Sequence, residues 1–212
     1  MELKIILSSS SIYRKKLMER LLIPFEVAHP NINEKIKVNE SPHALVERLS
    51  VEKALSQSKK YQAHLIIGSD QVAFINNNDS NKLNPDSSQS ISWPSETNDI
   101  QIISKPNDKK IAFRQLKAQS GKKVTFLTGV CVFNTKDNKI ETKTVTTIVV
   151  FRKLKNKEIN DYLDHEKPYD CTGSLRSESL GIKLVEAIHS TDPTAIIGLP
   201  LIELNKMLRK MI

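Results

Sequence analysis

The first residues whose types and spacing suit a chemical role are four serines and an arginine near the N-terminus. Ser8–Ser11 directly follows the predicted strand Lys4–Leu7, and apolar residues then recur at helical spacing. A strand, a turn of small residues and a helix bring free backbone N–H groups and the positive helix end together, which suits a phosphate. Arg14, in the first helical turn, would add a bidentate donor. A serine-capped helix with a solvated arginine explains the same residues equally well.

A second candidate is Asp70, which lies between two apolar runs. Leu65–Ile67 and Val72–Phe74 have the composition of buried strands, and the polar residues Gly68–Gln71 separate them. A carboxylate at the end of an apolar strand, at the mouth of a sheet, is where α/β proteins place metal ligands and general bases. On these residues alone an aspartate in a turn is the better explanation, and Glu34 has the character of a surface residue.

Two lysines are the remaining cationic candidates. Lys53 falls on the apolar face of a helix predicted to begin at Ser41–Pro42, with Ser as the N-cap and Pro in the first helical position. A lysine on that face either extends its ammonium group to the surface or points at an anion. Lys105 precedes a second predicted helix. With Arg14 and the two carboxylates these lysines would suit a polyphosphate and a metal ion, although spacing does not show that the side chains converge.

Other residue types that commonly carry chemistry form no pattern here. The five histidines are dispersed without metal-ligand spacing. Cys131 and Cys171 form no C-x-x-C pair, so the sequence predicts neither a zinc site nor a disulfide framework. The loop Ser174–Glu178 is dense in serine and charge, and by composition alone it is a surface turn.

The elements that must position these residues alternate between helix and strand. Strong strands are predicted at Val124–Phe133 and Lys139–Arg152, and a helix at 108–119 is predicted with Asn107 as its N-cap. A last helix opens after Gly198–Pro200. This order predicts an α/β fold with a mixed twisted sheet and flanking helices.

Length and charge limit the class of protein. The 212 residues suit one large domain or two lobes, and the net charge of +8 permits an anionic partner. The basic residues are scattered and aromatics are few, which favours a solvated basic surface over nucleic-acid binding. No apolar run approaches the about 18 residues that span a bilayer. The N-terminal apolar stretch is too short for a signal peptide, so we expect a cytoplasmic protein without a membrane partner.

One segment, Asn76–Gln101, differs sharply in composition from the rest of the chain. It contains clusters of Asn and Ser, two prolines and few large apolar residues. Such a stretch cannot bury enough apolar surface to order itself. We therefore predict a flexible surface insertion over residues 76–101, with Trp93 as a candidate anchor.

Eight stretches of the sequence match, in order, the motifs of a known family. They are Ile5–Ser11 with Arg14, Arg48–Leu49 through Glu52–Ala54, Leu65–Val72, Lys105–Pro106, Ser120–Gly121 to Thr128–Gly129, Glu158–Ile159 to Tyr162, Cys171–Ser174 to Ser177–Glu178, and Asp192–Pro193 with Ile197–Ile202. In this combination the chain resembles the Maf-type nucleotide pyrophosphatases, most closely their 7-methyl-GTP pyrophosphatase branch. The resemblance treats residues 1–212 as a single Maf-like domain.

The resemblance implies both a fold and a reaction. The fold would have two lobes around a central cleft, similar to the inosine-triphosphatase architecture. The reaction would be hydrolysis of a nucleoside triphosphate, with 7-methyl-GTP the favoured substrate, to the monophosphate and pyrophosphate. It would remove non-standard nucleotides and use a divalent cation, Mg²⁺ or Mn²⁺.

The resemblance also assigns roles to individual residues. Asp70 matches the general base, and Glu34 and Asp70 are the implied metal ligands. The implied substrate-binding residues are Ser9, Tyr13, Arg14, Lys53, Gln71, Lys105 and Glu178. Among these, Tyr13, Gln71 and Glu178 match the positions that select the substrate.

The chain departs from the family pattern in two places, and two other functions stay open. The first loop usually reads Ser-Pro-Arg-Arg or Ser-Pro-Trp-Arg, whereas Ser11–Arg14 lacks the proline and keeps an aromatic residue. Most of residues 76–101 is an insertion relative to the family. The alternatives are the same reaction on UTP or dTTP, and a non-catalytic regulator that binds nucleotides or nucleic acid. We expect a homodimer.

Overall fold

A computed structural model of the chain describes residues 4–76 and 100–211. These residues form five α-helices and seven strands. In chain order the elements are β1 (Lys4–Ser8), α1 (Ile12–Glu19), β2 (Phe25–Ala28), α2 (Pro42–Leu55), β3 (His64–Asn76), β4 (Ile100–Ile103), α3 (Lys109–Gln119), β5 (Lys123–Asn134), β6 (Lys139–Phe151), α4 (Asn156–Glu166), β7 (Val185–Ser190) and α5 (Leu201–Met211).

The seven strands form one mixed sheet, which confirms the predicted α/β class. The strand order is β2-β1-β3-β5-β6-β7, and β4 pairs with β3 beside this path. Strand β1 is parallel to both β2 and β3, whereas β3 and β4 are antiparallel. Parallel neighbours require crossover connections, and α1 and α2 supply them between β1, β2 and β3.

Contacts group the chain into two compact units, and the first carries most of the candidate residues. It contains the described residues up to Gln71, Leu127–Thr146 and the described residues from Ser190 onward. Alternate residues of a strand face opposite sides of a sheet. Ile5 accordingly packs in a core with side chains of α1 and α5, while Ile6 packs in a second core with Ala54 of α2. Helices therefore cover both faces of the sheet in this unit.

The second unit contains the described residues of Val72–Phe126 and Thr147–His189. Its helices α3 and α4 contact each other. Helix α3 is capped by Asp108, whose carboxylate accepts from the N–H of Ile111 at 2.7 Å, so the prediction of Asn107 as the N-cap is wrong by one residue. Asn107 instead has a φ of 63°, a conformation that asparagine tolerates better than most residues.

The predicted insertion is only partly covered by the structure. Asn76 ends β3 and is paired with Ile100 at the start of β4, so the first and last residues of the predicted segment are strand residues. Residues 77–99 lie outside the described part of the chain, and the prediction for them, including Trp93, stays a prediction. Within residues 4–76 and 100–211, no helix is long and apolar enough to cross a membrane.

Candidate active site

Lys53 lies on the apolar face of α2, and its ammonium group meets two carboxylates. The helix begins after its N-cap Ser41, as predicted. Lys53 is only 5% exposed. Its Nζ donates to Asp70 Oδ1 at 2.6 Å and lies 2.9 Å from Glu34 Oε1. Of the two alternatives for this lysine, the structure therefore shows the one in which it points at anions, and burial of its charge is tolerated because those anions compensate it.

Asp70 lies inside strand β3, so its prediction as the end of a strand or a turn residue is wrong. Asp70 is buried, with 7% of its surface exposed. The parallel pairing of β3 with β1 ends at Gly68, and the antiparallel pairing with β4 begins at Ala73. Asp70 thus lies just beyond the carboxyl end of a parallel strand pair, which is the position where α/β sheets present polar site residues.

Long-range hydrogen bonds explain why the strand continues through this polar stretch. Ser69 Oγ lies 2.7 Å from the carbonyl oxygen of Gly129 and 2.9 Å from that of Gly198. Gln71 Nε2 donates to the carbonyl oxygen of Ala195 at 2.9 Å. These partners are 60 to 129 positions away in sequence. The polar side chains beside the aspartate are therefore satisfied in the interior and need no turn.

Gly68 lets helix α2 approach β3 closely enough for the Lys53–Asp70 bond. A Cβ atom at position 68 would lie 2.1 Å from the carbonyl oxygen of Ser50 and 2.7 Å from the backbone nitrogen of Ala54. Both are backbone atoms of α2, so no side-chain rotation relieves the clash. The distance between helix and strand, and with it the geometry of the ion pair, depends on this glycine.

The variant Gly68→Ala should therefore have a lower free energy of unfolding than the wild type and also a lower activity. Overpacking in a well-packed core costs about 1–3 kcal/mol, and a clash with backbone belongs at the upper end of that range. Urea denaturation measures the loss of stability, and pyrophosphate release by the folded fraction measures the activity that the resemblance implies. A variant as stable and active as the wild type would contradict the close packing of α2 on β3.

The serine-rich turn after β1 joins α1 to α2. Ser11 is the N-cap of α1, and its hydroxyl accepts from the N–H of Arg14 at 3.4 Å. Ser9 is buried, and its Oγ accepts from the N–H of Ser11 at 3.1 Å. Ser8 Oγ donates to the carbonyl oxygen of Lys53 at 2.6 Å. The serines thus cap a helix, as one interpretation predicted, and one of them also ties the turn to the end of α2 that carries the lysine.

Arg14 lies near the same two carboxylates as Lys53. Its Nε donates to the carbonyl oxygen of Gly198 at 2.7 Å, where a φ of 119° favours glycine. Burial lowers the pKa of Arg14 from its ordinary value, while the negative charges of Asp70 and Glu34 act in the opposite direction. The interpretation of Arg14 as a fully solvated arginine is therefore wrong, because the residue is half-buried and its Nε is bonded to the backbone at Gly198.

The first unit thus concentrates two cations and two anions at the end of the β1–β3 strand pair. Arg14 and Lys53 balance the formal charges of Glu34 and Asp70, so these four side chains together carry no net charge before a ligand binds. Among residues 4–76 and 100–211, no group of three or more His, Cys, Asp or Glu side chains could hold a metal ion. Two carboxylates that converge on one point nevertheless suit Mg²⁺ or Mn²⁺, because Mg²⁺ usually takes one or two carboxylates, with water and substrate phosphates as the other ligands.

Tyr13 and Gln71 are the predicted base-selecting residues of this unit. Tyr13 is half-buried in the first turn of α1. Besides Ala195, the amide nitrogen of Gln71 has the hydroxyl of Thr128 at 3.0 Å and the carbonyl oxygen of Ile196 at 3.0 Å as acceptors. The amide nitrogen of Gln71 therefore already donates to acceptors of the protein. The amide oxygen is the atom of Gln71 that would contact the base of a nucleotide.

Lys105 and Glu178, the other two predicted substrate-binding residues, belong to the second unit. Lys105 is exposed between β4 and α3. Glu178 Oε1 lies 3.5 Å from Arg176 Nε, and Arg176 Nη1 donates to Glu166 Oε1 at 2.7 Å. One arginine thus joins two carboxylates, so the group keeps a net charge of −1 and the Glu178 carboxylate has a charged neighbour that orients it.

Two arginines that the sequence did not assign a role each pair with carboxylates in the structure. Arg176 lies in the predicted surface turn, and Arg48 lies in a matched motif without an assigned function. Arg48 donates from Nε to Glu40 Oε1 at 2.5 Å. The i,i+4 spacing of Arg48 and Glu52 is a sequence signal for a pair on one helix face. No comparable spacing connects Arg48 to Glu40, because that partner lies outside the helix.

Comparison with known proteins identifies the family. Residues 4–211 match the family described as Maf-like protein. A protein of Pseudoalteromonas atlantica named 7-methyl-GTP pyrophosphatase is 44% identical over 208 residues, covering 98% of this chain and 95% of the relative. Proteins of the same name from Colwellia psychrerythraea and Pseudomonas aeruginosa are each 40% identical, over 97% and 96% of this chain and 92% and 94% of the relatives.

A solved structure of a nucleoside-triphosphatase, named dITP/XTP pyrophosphatase, from Mycobacterium abscessus shares 11% identity and a TM-score of 0.41. The matched region covers 72% of this chain and 76% of the chain in the solved structure. The family assignment rests instead on the match over residues 4–211 and on the sequence relatives, which extend over nearly the whole chain. The chain therefore belongs to the Maf family.

Proposed function

We propose that this protein hydrolyses a nucleoside triphosphate, preferably 7-methyl-GTP, to the nucleoside monophosphate and pyrophosphate. The observation that carries the proposal is the buried carboxylate of Asp70, held at 2.6 Å by Lys53. The group lies at the carboxyl end of a parallel strand pair in a chain of the Maf family. Relatives that are 39–44% identical are named 7-methyl-GTP pyrophosphatase, which supports both the reaction and the substrate.

Asp70 has the chemistry of a general base in this reaction. Attack of water on the α-phosphorus requires that a proton leave the water, and a carboxylate close to the nucleophile accepts it. The bond from the α-phosphorus to the bridging oxygen then breaks, and pyrophosphate leaves with that oxygen. Lys53 orients Asp70 through its hydrogen bond before substrate binds.

Arg14 and Lys53 are the groups that stabilise charge on the phosphates. Negative charge builds on the phosphate oxygens in the transition state, and each fixed donor aimed at such charge is worth about 3–4 kcal/mol. Lys105 and Ser9 are assigned to the same substrate by the resemblance, and their part stays a prediction. In the free protein Arg14 bonds the backbone at Gly198 through Nε, which leaves the terminal nitrogens of its guanidinium for phosphate.

Glu34 and Asp70 are the residues that would hold the divalent cation. Their carboxylates already converge on the ammonium group of Lys53, at 2.9 and 2.6 Å. A bound Mg²⁺ or Mn²⁺ supplies charge neutralisation for the triphosphate. The ammonium of Lys53 would then contact the substrate phosphates as well as the two carboxylates. Because Oδ1 of Asp70 is bonded to Lys53, its second carboxylate oxygen is the atom that would either bind the cation or accept the proton of the attacking water.

The preference for a methylated base has a separate physical origin. N7-methylguanine carries a delocalised positive charge, and an aromatic ring such as that of Tyr13 attracts a cation by about 0.5–2 kcal/mol. A carboxylate at Glu178 can accept from the guanine N1–H and amino group, and its charge favours the cationic base. GTP keeps these hydrogen bonds and loses the charge terms, so we expect a tens-fold preference, at about 1.4 kcal/mol per tenfold.

The variant Glu178→Gln should reduce this preference about tenfold, because an amide keeps hydrogen bonding and loses the charge worth about 1.4 kcal/mol. The ratio of kcat/KM for 7-methyl-GTP to that for GTP measures the effect. Glu186→Gln is the matched control, since Glu186 is an exposed carboxylate of the same unit and should leave the ratio unchanged. An unchanged ratio in Glu178→Gln would remove this residue from base selection.

A panel of 7-methyl-GTP, GTP, UTP and dTTP, assayed for pyrophosphate, tests the proposed substrate. We expect the highest kcat/KM for 7-methyl-GTP. Higher values for UTP and dTTP would show the pyrimidine activity instead, and equal values would discard the selectivity. Retention of nucleotide without turnover would identify a binding protein. A cytoplasmic location and a homodimer are further expectations and stay predictions.

A further inference from the structure

The segment that carries Glu34 buries little apolar surface. Residues 29–41 connect β2 to α2 and form neither helix nor strand. Two of its apolar side chains face solvent, with Ile36 51% exposed and Val38 92% exposed. The Glu34 side chain itself is 58% exposed. Because little apolar surface is buried here, the position of Glu34 has to be set by polar contacts.

Arg48 of α2 supplies those contacts through a partly buried guanidinium. Its Nε and Nη2 donate to the two carboxylate oxygens of Glu40 at 2.5 and 2.8 Å, a bidentate geometry. The same Nη2 donates to the carbonyl oxygen of Lys35 at 3.1 Å. The side chains of Arg48 and Glu40 are only 15% and 7% exposed. This arginine therefore joins the segment to the helix next to Glu34 and again at its C-terminal end.

The pair of Arg48 and Glu40 stays ionised near neutral pH. The hydrogen bond from Arg48 lowers the pKa of Glu40 to about 2. A carboxyl group with a lowered pKa contributes stability above its unfolded value near 4.5, and that contribution is lost as the pH falls toward 2. The attachment of the segment is therefore insensitive to pH at any value where the enzyme would be assayed.

Two residues of helix α2, Lys53 and Arg48, bind the segment, and they differ in function. Lys53 binds Glu34 at 2.9 Å, but in the proposed reaction its ammonium is shared with substrate phosphates. Arg48 has no such second duty, since its donors are used by Glu40, Lys35 and Glu52. When substrate engages Lys53, the Arg48 contacts still attach the segment to α2 on the chain beside Glu34.

We propose that Arg48, acting through Glu40 and the backbone of Lys35, is a positioning residue that holds Glu34 for the divalent cation. The proposal rests on the proposed function. It assigns Arg48 no contact with substrate or metal. Its role resembles that of other residues that orient a metal ligand, whose loss typically weakens metal affinity by about 10- to 100-fold.

The test is Mn²⁺ binding to the full chain, measured by electron paramagnetic resonance, together with the Mn²⁺ dependence of pyrophosphate release. Arg48→Gln and Glu40→Gln should each raise the Kd for Mn²⁺ and its half-saturating concentration by about 10-fold or more. Turnover should largely return at saturating Mn²⁺. The double variant should be no worse than Arg48→Gln alone, because Arg48→Gln already removes every contact that Glu40 makes with Arg48.

Glu52→Gln is the matched control. Glu52 accepts from Arg48 Nη1 at 3.1 Å, but both residues lie on α2, so this bond does not attach residues 29–41 to the helix. The variant should bind Mn²⁺ as the wild type does. Arg48→Lys should be intermediate, because an ammonium group cannot bond both carboxylate oxygens in the same fork.

The outcomes separate this proposal from the proposed function. An unchanged Mn²⁺ affinity in folded Arg48→Gln and Glu40→Gln, beside an active wild type, would overturn the positioning role. So would an activity loss that saturating Mn²⁺ does not restore, because that result marks a purely structural role. A wild type that binds Mn²⁺ but releases no pyrophosphate would refute the proposed function alone. If Arg48→Gln does not fold, the Mn²⁺ affinity of Glu40→Gln tests the proposal instead, since that variant changes only the partner of Arg48 in residues 29–41.

Discussion

Replacement of Asp70 by Asn is expected to lower kcat/KM for 7-methyl-GTP by about 10²- to 10⁴-fold, the usual contribution of a general base. An amide has nearly the shape of a carboxylate but does not accept a proton from water near neutral pH. It is also a poorer ligand for a divalent cation, which adds to the loss. Pyrophosphate release at saturating Mg²⁺ measures the effect, and wild-type turnover would remove Asp70 from the mechanism.

The same variant should stay folded, because the ammonium of Lys53 keeps a second carboxylate. Glu34 lies 2.9 Å from it and continues to compensate its charge. Asp192→Asn is the matched control. Asp192 is also a buried aspartate of the first unit, but its oxygens accept from Thr194 and from backbone groups at the start of α5. That variant should lose stability and, where it is folded, keep its turnover.

Replacement of Lys53 by Met is expected to have the second largest effect, on activity and stability together. Loss of one donor to the developing charge costs about 10²- to 10³-fold in kcat. Removal of the ammonium also leaves the buried Asp70 carboxylate without its 2.6 Å partner. Breaking a buried ion pair by removing one member typically costs about 3–5 kcal/mol. Urea denaturation and the pyrophosphate assay measure the two losses separately.

The double variant Lys53→Met with Asp70→Asn distinguishes pairing from catalysis. With both charges removed, part of the stability lost in Lys53→Met should return, with a coupling energy of about 0.5–3 kcal/mol. Activity should not return, since neither the base nor the donor is present. Additive stability losses would contradict a direct interaction between the two side chains.

Local sequence signals predicted the elements that carry the site. The serine-rich turn after β1 and the Ser41–Pro42 helix start are features of a few neighbouring residues, and the structure has both. The apolar face of α2 correctly placed Lys53 on the buried side of the helix. Such predictions succeed because capping and periodicity act within one or two helical turns.

The context of Asp70 could not be predicted in this way. A polar run between two apolar ones normally indicates a turn, yet Ser69 and Gln71 find their partners 60 to 129 positions away. The closeness of α2 to β3 depends on the absence of a side chain at Gly68, which has no local signature. The fork between Arg48 and Glu40 is likewise a tertiary contact, because Glu40 precedes the helix. Residue types suggested the chemistry, whereas the fold determines which residues meet.

The most direct test is the identity of the products formed from 7-methyl-GTP with Mg²⁺, followed by phosphorus NMR. The proposed reaction yields 7-methyl-GMP and pyrophosphate in equal amounts, with no orthophosphate as a first product, and in Asp70→Asn both signals should appear about 10²- to 10⁴-fold more slowly. Release of orthophosphate with 7-methyl-GDP, or an intact triphosphate after prolonged incubation with folded protein, would contradict the proposal that the Asp70 site directs water to the α-phosphorus.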